Sequence, residues 1–179
     1  MKLEKGKGRE KKNTIESRKK GRKEGCTVDK FMYINGKWVG NELEKTEVVN
    51  PSTQQIVGTV PEGGRKEATL AVDAAHEAFK IWSKKTADER SSLLYRWYEL
   101  IDENKEEMAT LMTKEQGKPY QEAYGEVNYA NGFIKWYAEE AKRIYGDTIP
   151  ASQSDKRIIV QKQPVGVAAV ITPWNFPAA

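Results

Sequence analysis

The sequence is poor in the residues that thiol and metal chemistry need. Its 179 residues include one cysteine, Cys26, and one histidine, His76. A lone cysteine excludes an internal disulfide and is typical of a reducing compartment, so we expect a cytoplasmic protein. One cysteine and one histidine do not make a zinc-ligand cluster, so no metal site is expected. His76 is expected on the surface of a helix.

The chain also lacks long apolar runs and a phosphate-binding glycine turn. No apolar stretch approaches the roughly 20 residues that a membrane-spanning helix needs. The N-terminus has no apolar region of the kind found in secretory signals. The pair Gly63-Gly64 precedes a predicted helix but lacks the glycine pattern of a phosphate cradle. We therefore expect no membrane association, and the 38% hydrophobic and 31% charged content is typical of soluble globular proteins.

Excess positive charge is confined to the N-terminal segment. Residues 1–30 hold twelve Lys or Arg and five Asp or Glu, so the remaining chain carries −3 against +4 for the whole. This segment has too few apolar residues to build a core, and we predict a disordered basic tail. Its run Arg18–Lys23 is of a kind that contacts nucleic-acid phosphates, but no aromatic residue is present to stack on bases. Nucleic acid is therefore not expected as a partner.

The residues after the tail predict small hairpins followed by helices. Asn35-Gly36 is a type I′ turn signal between two short alternating strands. Asn50-Pro51 predicts a second turn, before a strand over residues 55–60. Apolar spacing predicts a helix over about 65–82. Thr86 and Glu89 form a capping box for a second helix, and Asn104 with Glu107 predicts the start of a third, which ends at Gly117-Lys-Pro119. The second helix is expected to bury Leu93, Leu94, Trp97 and Ile101.

A fourth helix is predicted over about residues 120–144, with two apolar faces. A helix of this kind is usually buried between layers. The longer face consists of Tyr120, Ala123, Tyr124, Val127, Ala130, Ile134, Tyr137, Ala141 and Ile144. The other face is aromatic and consists of Tyr129, Phe133 and Trp136. Residues 147–150 and 157–164 then flank a polar loop, which predicts a β-hairpin arm.

The last segment predicts a strand that ends in a polar turn. Residues 165–171 form an unbroken apolar run, typical of a strand buried on both faces of a parallel sheet. Pro173 has no backbone N–H and ends the ladder. The strand would therefore present Trp174 and Asn175 at its carboxyl end, where open α/β sheets bind ligands. Without later strands to pair with, we expect the run to lie exposed in this chain.

The segment Ile171-Thr-Pro-Trp-Asn-Phe-Pro177 resembles the aldehyde dehydrogenase superfamily, whose Pro-Trp-Asn-(Phe)-Pro motif ends the first nucleotide-binding strand. The match runs from about Tyr33 to Ala179. Glu115-Gln-Gly-Lys-Pro119 and Tyr145-Gly-Asp-Thr-Ile-Pro150 are most similar to bacterial succinate-semialdehyde dehydrogenases. Those enzymes are roughly three times as long as one domain-sized chain, so the sequence resembles their opening third.

The resemblance implies an incomplete α/β fold. After the tail, residues 1–30, it implies the N-terminal part of the NAD(P)-binding domain at 31–146, with a small hairpin region and a helical layer. Residues 147–164 would form an oligomerisation arm that joins subunits into a homo-oligomer. Residues 165–179 would form the first strand of a Rossmann-like sheet and the Pro-Trp-Asn motif.

The resemblance also implies a function and site residues. Family members oxidise an aldehyde with NAD or NADP, and succinate semialdehyde arises in 4-aminobutyrate breakdown. Asn175 matches the asparagine of the oxyanion hole, and the cofactor cleft would be lined by Ile171, Thr172, Pro173, Trp174 and Asn175. Tyr129 and Phe133 match positions that face the aldehyde tunnel. From the residues alone, core packing of these aromatics and a plain turn at Asn175 remain open.

The resemblance places the catalytic cysteine and the general-base glutamate after the Pro-Trp-Asn motif, so Cys26 is not expected to be the nucleophile. We therefore expect the 179-residue chain to be inactive by itself. Two alternatives from another class stay open. One is a non-catalytic fragment that associates with full-length subunits, and the other is a basic-tailed interaction protein.

Overall fold

The computed structural model describes residues 31–179 as an α/β arrangement of small sheets and helices. The predicted basic tail and Cys26 lie outside the described residues. The elements, in chain order, are β1 (Met32–Ile34), β2 (Lys37–Val39), β3 (Lys45–Val49), β4 (Ile56–Pro61), α1 (Arg65–Trp82), α2 (Ala87–Gln116), α3 (Tyr120–Glu140), β5 (Asp147–Ile149) and β6 (Ile158–Val160). In the described part of the chain the strands form three separate antiparallel pairs, β1–β2, β3–β4 and β5–β6.

Both N-terminal hairpins form where the turn residues predict them. Asn35 and Gly36 have φ of 51° and 76°, the pair of positive values that a type I′ turn needs, and Tyr33 faces Trp38 across β1–β2. In the second hairpin the Asn50 carboxamide oxygen accepts hydrogen bonds from the backbone N–H groups of Ser52 and Thr53, at 2.9 and 3.2 Å. This side chain closes the turn between β3 and β4.

The first helix, α1, has the predicted bounds but buries none of its side chains among the described residues.

The second helix, α2, also begins where predicted. Thr86 accepts from the backbone N–H of Glu89 at 3.3 Å, and the Glu89 carboxylate accepts from the backbone N–H of Thr86 at 2.8 Å. The latter bond is the main reason that the pKa of Glu89 is lowered. The predicted capping box is therefore confirmed.

The predicted break at Asn104 was wrong, because α2 continues without interruption to Gln116. Asn104 lies inside the helix, where its side-chain NH₂ donates to the backbone oxygen of Leu100 at 2.7 Å. An asparagine bonded to the preceding turn does not cap a new helix. Residues 102–107 also contain no glycine or proline to break the helix.

The core lies between α2 and α3, which pack as a helical hairpin. Its buried residues are Ala109, Met112, Ala123 and Val127, with Ile101, Tyr124 and Ala178 packed against them. Two polar contacts also join the helices: the Asn131 side-chain NH₂ donates to the backbone oxygen of Tyr98 at 3.1 Å, and the Tyr95 hydroxyl donates to Glu139 at 2.6 Å. The second bond raises the pKa of Tyr95. Small apolar residues at the crossing let the two helices approach closely.

Several burial predictions for these helices were wrong. Leu93 and Trp97 are 49% and 54% exposed, whereas Leu94 and Ile101 are half-buried. The aromatic face of α3 is a different case: a helix with two apolar faces is buried on both only where a second layer covers it, and here Trp136 is 62% exposed. The helix ends at Glu140, four residues before its predicted end at 144. The two helices bury mainly the stripes that face each other, and the β3–β4 turn and the segment 174–178 cover only the end of the hairpin near Gly117.

The predicted hairpin arm is present, but its strands are short. Asp147 pairs with Val160 and Ile149 pairs with Ile158, and all six strand residues are exposed. Residues 161–173 form no strand with any described residue. The predicted strand over residues 165–171 is therefore not formed, whereas the exposure expected for this run is confirmed, with Val170 and Ile171 at 83% and 94%. A central strand is held by neighbours on both edges, and the described residues provide none.

Gly117 ends α2 and turns the chain toward α3. Its φ of 78° and ψ of 8° are left-handed, and its N–H donates to the Thr113 oxygen at 2.9 Å. A Cβ at this position would lie 2.7 Å from Cγ of Pro51, in the turn between β3 and β4. Both the backbone conformation and the approach of the β3–β4 hairpin therefore require glycine here.

We predict that Gly117→Ala destabilises the chain by about 1–2 kcal/mol from backbone strain alone, with a further cost from the contact with Pro51. Gly132→Ala is the matched control. Gly132 lies inside α3, and no atom lies within 4 Å of an added Cβ. The Gly132→Ala substitution should therefore raise the free energy of unfolding by about 0.5–1 kcal/mol. Urea unfolding followed by far-ultraviolet circular dichroism measures both changes. Equal stability of Gly117→Ala and the parent would contradict this account of the turn.

Candidate active site at the turn after residue 172

The Pro-Trp-Asn segment forms a tight turn against the connection between α2 and α3. The Phe176 N–H donates to the Pro173 oxygen at 3.1 Å, which closes the turn. The Gln116 side chain, at the end of α2, donates to the Trp174 backbone oxygen at 2.6 Å. Ala178 packs against the core between the helices. The turn is therefore attached to the helical hairpin by both polar and apolar contacts.

A buried ion pair lies beneath this turn. The side chains of Lys118 and Glu126 are 12% and 1% exposed, and their charged groups contact each other directly. Lys118 also donates to the Asn175 backbone oxygen at 2.6 Å, and Glu126 accepts from the Ala178 N–H at 2.9 Å. The Lys118 ammonium lies 4.5 Å from the centroid of the Phe176 ring. Each charged group is thus satisfied partly by its partner and partly by the main chain of the turn.

An open groove of about 500 Å³ connects this turn to α3. It is lined by Lys118, Glu122, Gly125, Glu126, Tyr129, Asn175 and Phe176. The structure thus brings together Asn175 and Tyr129, two residues that the sequence singled out. Phe133 contacts Tyr129 edge to face, with 4.8 Å between ring centroids. Both aromatic side chains are exposed among the described residues, at 61% for Tyr129 and 45% for Phe133.

The four residues before Asn175 form a continuous exposed surface. Ile171 and Trp174 are 94% and 86% exposed, and Thr172 and Pro173 are exposed as well. An indole plane, an aliphatic side chain and accessible main chain are features that fit a planar ligand with apolar faces. These residues are therefore accessible to a ligand.

Sequence reasoning missed Gln116, Lys118 and Glu126 as site residues. The first two lie in the stretch Glu115-Gln-Gly-Lys-Pro119, whose sequence indicated only the end of a helix and the resemblance. Glu126 did carry a signal, because it is adjacent in sequence to Val127 and one turn from Ala123 and Ala130, all in the predicted apolar stripe. A carboxylate that borders a buried stripe needs a buried partner.

Other kinds of site find no support in residues 31–179. This part of the chain has no group of three His, Cys, Asp or Glu side chains placed to hold a metal ion. None of α1, α2 and α3 is long and apolar enough to cross a membrane.

The sequence profile of the aldehyde dehydrogenase family matches residues 38–179. The chain therefore belongs to the aldehyde dehydrogenase family, and the resemblance inferred from its motifs is confirmed.

Curated relatives of the chain include several semialdehyde dehydrogenases. It is 57% identical over 148 residues to the glutarate-semialdehyde dehydrogenase of Pseudomonas putida, covering 82% of this chain and 31% of that protein. It is 54% identical over 147 residues to the NADP⁺ succinate-semialdehyde dehydrogenase of Escherichia coli, covering 82% of this chain and 30% of the relative. The chain thus spans about a third of the length of these relatives.

Solved structures agree with the sequence relatives. A crystal structure of an NADP-dependent enzyme from E. coli superposes with a TM-score of 0.81 and 52% identity, covering 84% of this chain and 31% of that one. The succinate-semialdehyde dehydrogenase of Burkholderia pseudomallei superposes with a TM-score of 0.80 and 47% identity, over 83% of this chain and 31% of that one. The described residues therefore have the fold of the corresponding part of these enzymes.

Proposed function

We propose that this chain is the N-terminal portion of an NAD(P)-dependent aldehyde dehydrogenase that oxidises a short aldehyde with a distal anionic group. Succinate semialdehyde is the substrate we favour, and glutarate semialdehyde is the close alternative. The carrying observation is the turn at Asn175, seated on the α2–α3 hairpin beside an open groove. The relatives' names support the substrate class, since they include glutarate-semialdehyde, succinate-semialdehyde and 3-sulfolactaldehyde dehydrogenases.

In this proposal the Asn175 side chain is a hydrogen-bond donor of the oxyanion hole. Its side-chain NH₂ would donate a hydrogen bond to the aldehyde oxygen as that oxygen becomes negative during nucleophilic attack. A neutral amide suits the role because it donates without titrating. Tyr129 lies in the same groove and Phe133 packs on it, so these aromatics would line the approach of the aldehyde.

Ile171, Thr172, Pro173, Trp174 and Asn175 would contact NAD or NADP along the exposed edge of the turn. The bound nicotinamide supplies the hydride acceptor of the reaction. Both cofactors fit the proposal, and the E. coli relative carries NADP⁺ in its name. The protein would act in the cytoplasm, in keeping with its single cysteine, and serve 4-aminobutyrate breakdown.

We assign the nucleophilic cysteine and the general-base glutamate to the two thirds of the relatives that this chain does not cover. We further propose that the exposed β5–β6 arm, within residues 147–164, joins subunits into a homo-oligomer. Unpaired strand edges of this kind favour pairing with another strand.

The function can be tested in a fusion enzyme. It consists of residues 1–179 followed by the remaining portion of the P. putida relative, which is 57% identical over the shared region. We expect the fusion enzyme to oxidise succinate and glutarate semialdehydes and the 179-residue chain alone to show no turnover. Reduced cofactor, followed by absorbance, reports both. Turnover by the chain alone that Cys26→Ala abolishes would overturn the assignment of the nucleophile.

Within the fusion enzyme, Asn175→Ala should lower kcat by about 100- to 1000-fold, the usual loss for one oxyanion donor. Cofactor affinity, measured by fluorescence titration, should stay near the parent value, because Asn175 would contact the cofactor through main-chain atoms that the substitution keeps and residues 171–174 are unchanged. An unaltered kcat would show that Asn175 is not an oxyanion donor.

Tyr129→Ala tests the aldehyde groove in the same enzyme. We expect a KM for the semialdehyde raised about 5- to 20-fold with kcat nearly unchanged, because a lining side chain contributes similar binding to substrate and transition state. Phe133→Ala should have a smaller effect, since Phe133 acts through Tyr129. Tyr145→Ala is the control, an aromatic residue 68% exposed in the segment after α3. Equal KM values for the Tyr129 and Tyr145 variants would contradict the groove assignment.

A further inference from the structure

The chain around Asn175 is held at both of its flanking peptide groups. The Trp174 oxygen, in the peptide before Asn175, accepts from Gln116 at 2.6 Å. The Asn175 oxygen, in the peptide after it, accepts from Lys118 at 2.6 Å. When both peptide planes at a residue are fixed, its φ, its ψ and the direction of its Cα–Cβ bond are fixed as well. Gln116 and Lys118 together therefore set the direction from which the Asn175 side chain leaves the backbone.

Glu126 extends this control to the end of the turn. Its carboxylate contacts the Lys118 ammonium and accepts from the Ala178 N–H at 2.9 Å. The positive member of the pair thus binds a carbonyl on one side of Phe176, and the negative member binds an amide on the other side. The Phe176 ring lies 4.5 Å from the same ammonium. The segment from Asn175 to Ala178 is bracketed by one ion pair.

We propose that Lys118 and Glu126 are positioning residues for the Asn175 amide and act together with Gln116. The inference rests on the proposed role of Asn175 as an oxyanion donor. In it, the ion pair fixes the main chain of the turn, and the fixed main chain directs the carboxamide toward the reacting oxygen. None of the three side chains needs to touch the substrate.

Energetics favour this role over a purely stabilising one. Taking two charges out of water is costly, and a buried ion pair is often no more stable than apolar residues of the same size. The side chains of Lys118 and Glu126 are only 12% and 1% exposed, so their charges have lost most of their contact with water. Its remaining hydrogen-bonding capacity goes to the main chain of the turn rather than to α2 or α3. Because displacing a reacting group by about 1 Å can cost about 100-fold in rate, fixing this turn has a catalytic consequence.

The test uses the fusion enzyme with Lys118→Met, Glu126→Gln and Gln116→Leu. Gln116→Leu removes only a neutral hydrogen bond. It therefore tests the positioning role even if the loss of a buried charge in the other two variants unfolds the protein. Lys142→Met is the matched control, because it breaks an exposed ion pair with Asp88, at 3.0 Å, away from the turn. We expect kcat to fall about 10- to 100-fold in the three variants, with the aldehyde KM and the cofactor Kd within about twofold of the parent.

A double-mutant cycle separates positioning from general stability. If Gln116 and Lys118 act through Asn175, then Gln116→Leu combined with Asn175→Ala should be no slower than Asn175→Ala alone. If the fold-losses of kcat in the two single variants instead multiply in the double variant, the proposal is overturned.

A spectroscopic measurement detects changes in the conformation of the turn without relying on enzyme activity. The enzyme is labelled with fluorotryptophan, and the Trp174 resonance is assigned by its loss in Trp174→Phe. The resonance should shift or broaden in the Gln116, Lys118 and Glu126 variants and stay unchanged in Lys142→Met. An unchanged resonance in all three variants would overturn the positioning role. A normal kcat in Asn175→Ala would instead overturn the proposed function, while the resonance still reports whether the ion pair holds the turn.

Discussion

The described site depends on one interaction, the buried contact between Lys118 and Glu126. It joins the start of α3 to the turn at Asn175 through two backbone hydrogen bonds. Other features place this pair. Gly117 ends α2 in a left-handed conformation, and the small residues Ala109 and Ala123 let α3 pack back along α2. Without this close hairpin, the two charges would not meet beneath the turn.

The helices, rather than the strand that precedes the turn, position Asn175 in this chain. Residues 161–173 pair with no described strand, and Ile171 is 94% exposed. The next five residues are nevertheless held by Gln116, Lys118, Glu126 and the packing of Ala178. The helical hairpin is therefore an anchor for the motif that does not require a completed sheet.

Local signals in the sequence predicted the local structure well. Asn35-Gly36, the capping box at Thr86 and the stop at Gly117 depend on a few neighbouring residues, and each is present. The motif also identified the family. Burial in α2 was predicted poorly, because the exposure of Leu93 and Trp97 depends on which elements lie opposite them. Lys118 and Glu126 were missed for the same reason: their meeting with residues 174–178 is a contact over about 50 positions that no local pattern encodes.

The most direct test of this account is residue-resolved amide hydrogen exchange by NMR on the chain itself, from residue 161 to 179. The account predicts slow exchange at Ala178 and Phe176, whose N–H groups donate to Glu126 and to the Pro173 oxygen. It predicts fast exchange over residues 161–172, which have no ladder partner among the described residues. Uniformly fast exchange across both segments would contradict the claim that the helical hairpin holds the turn.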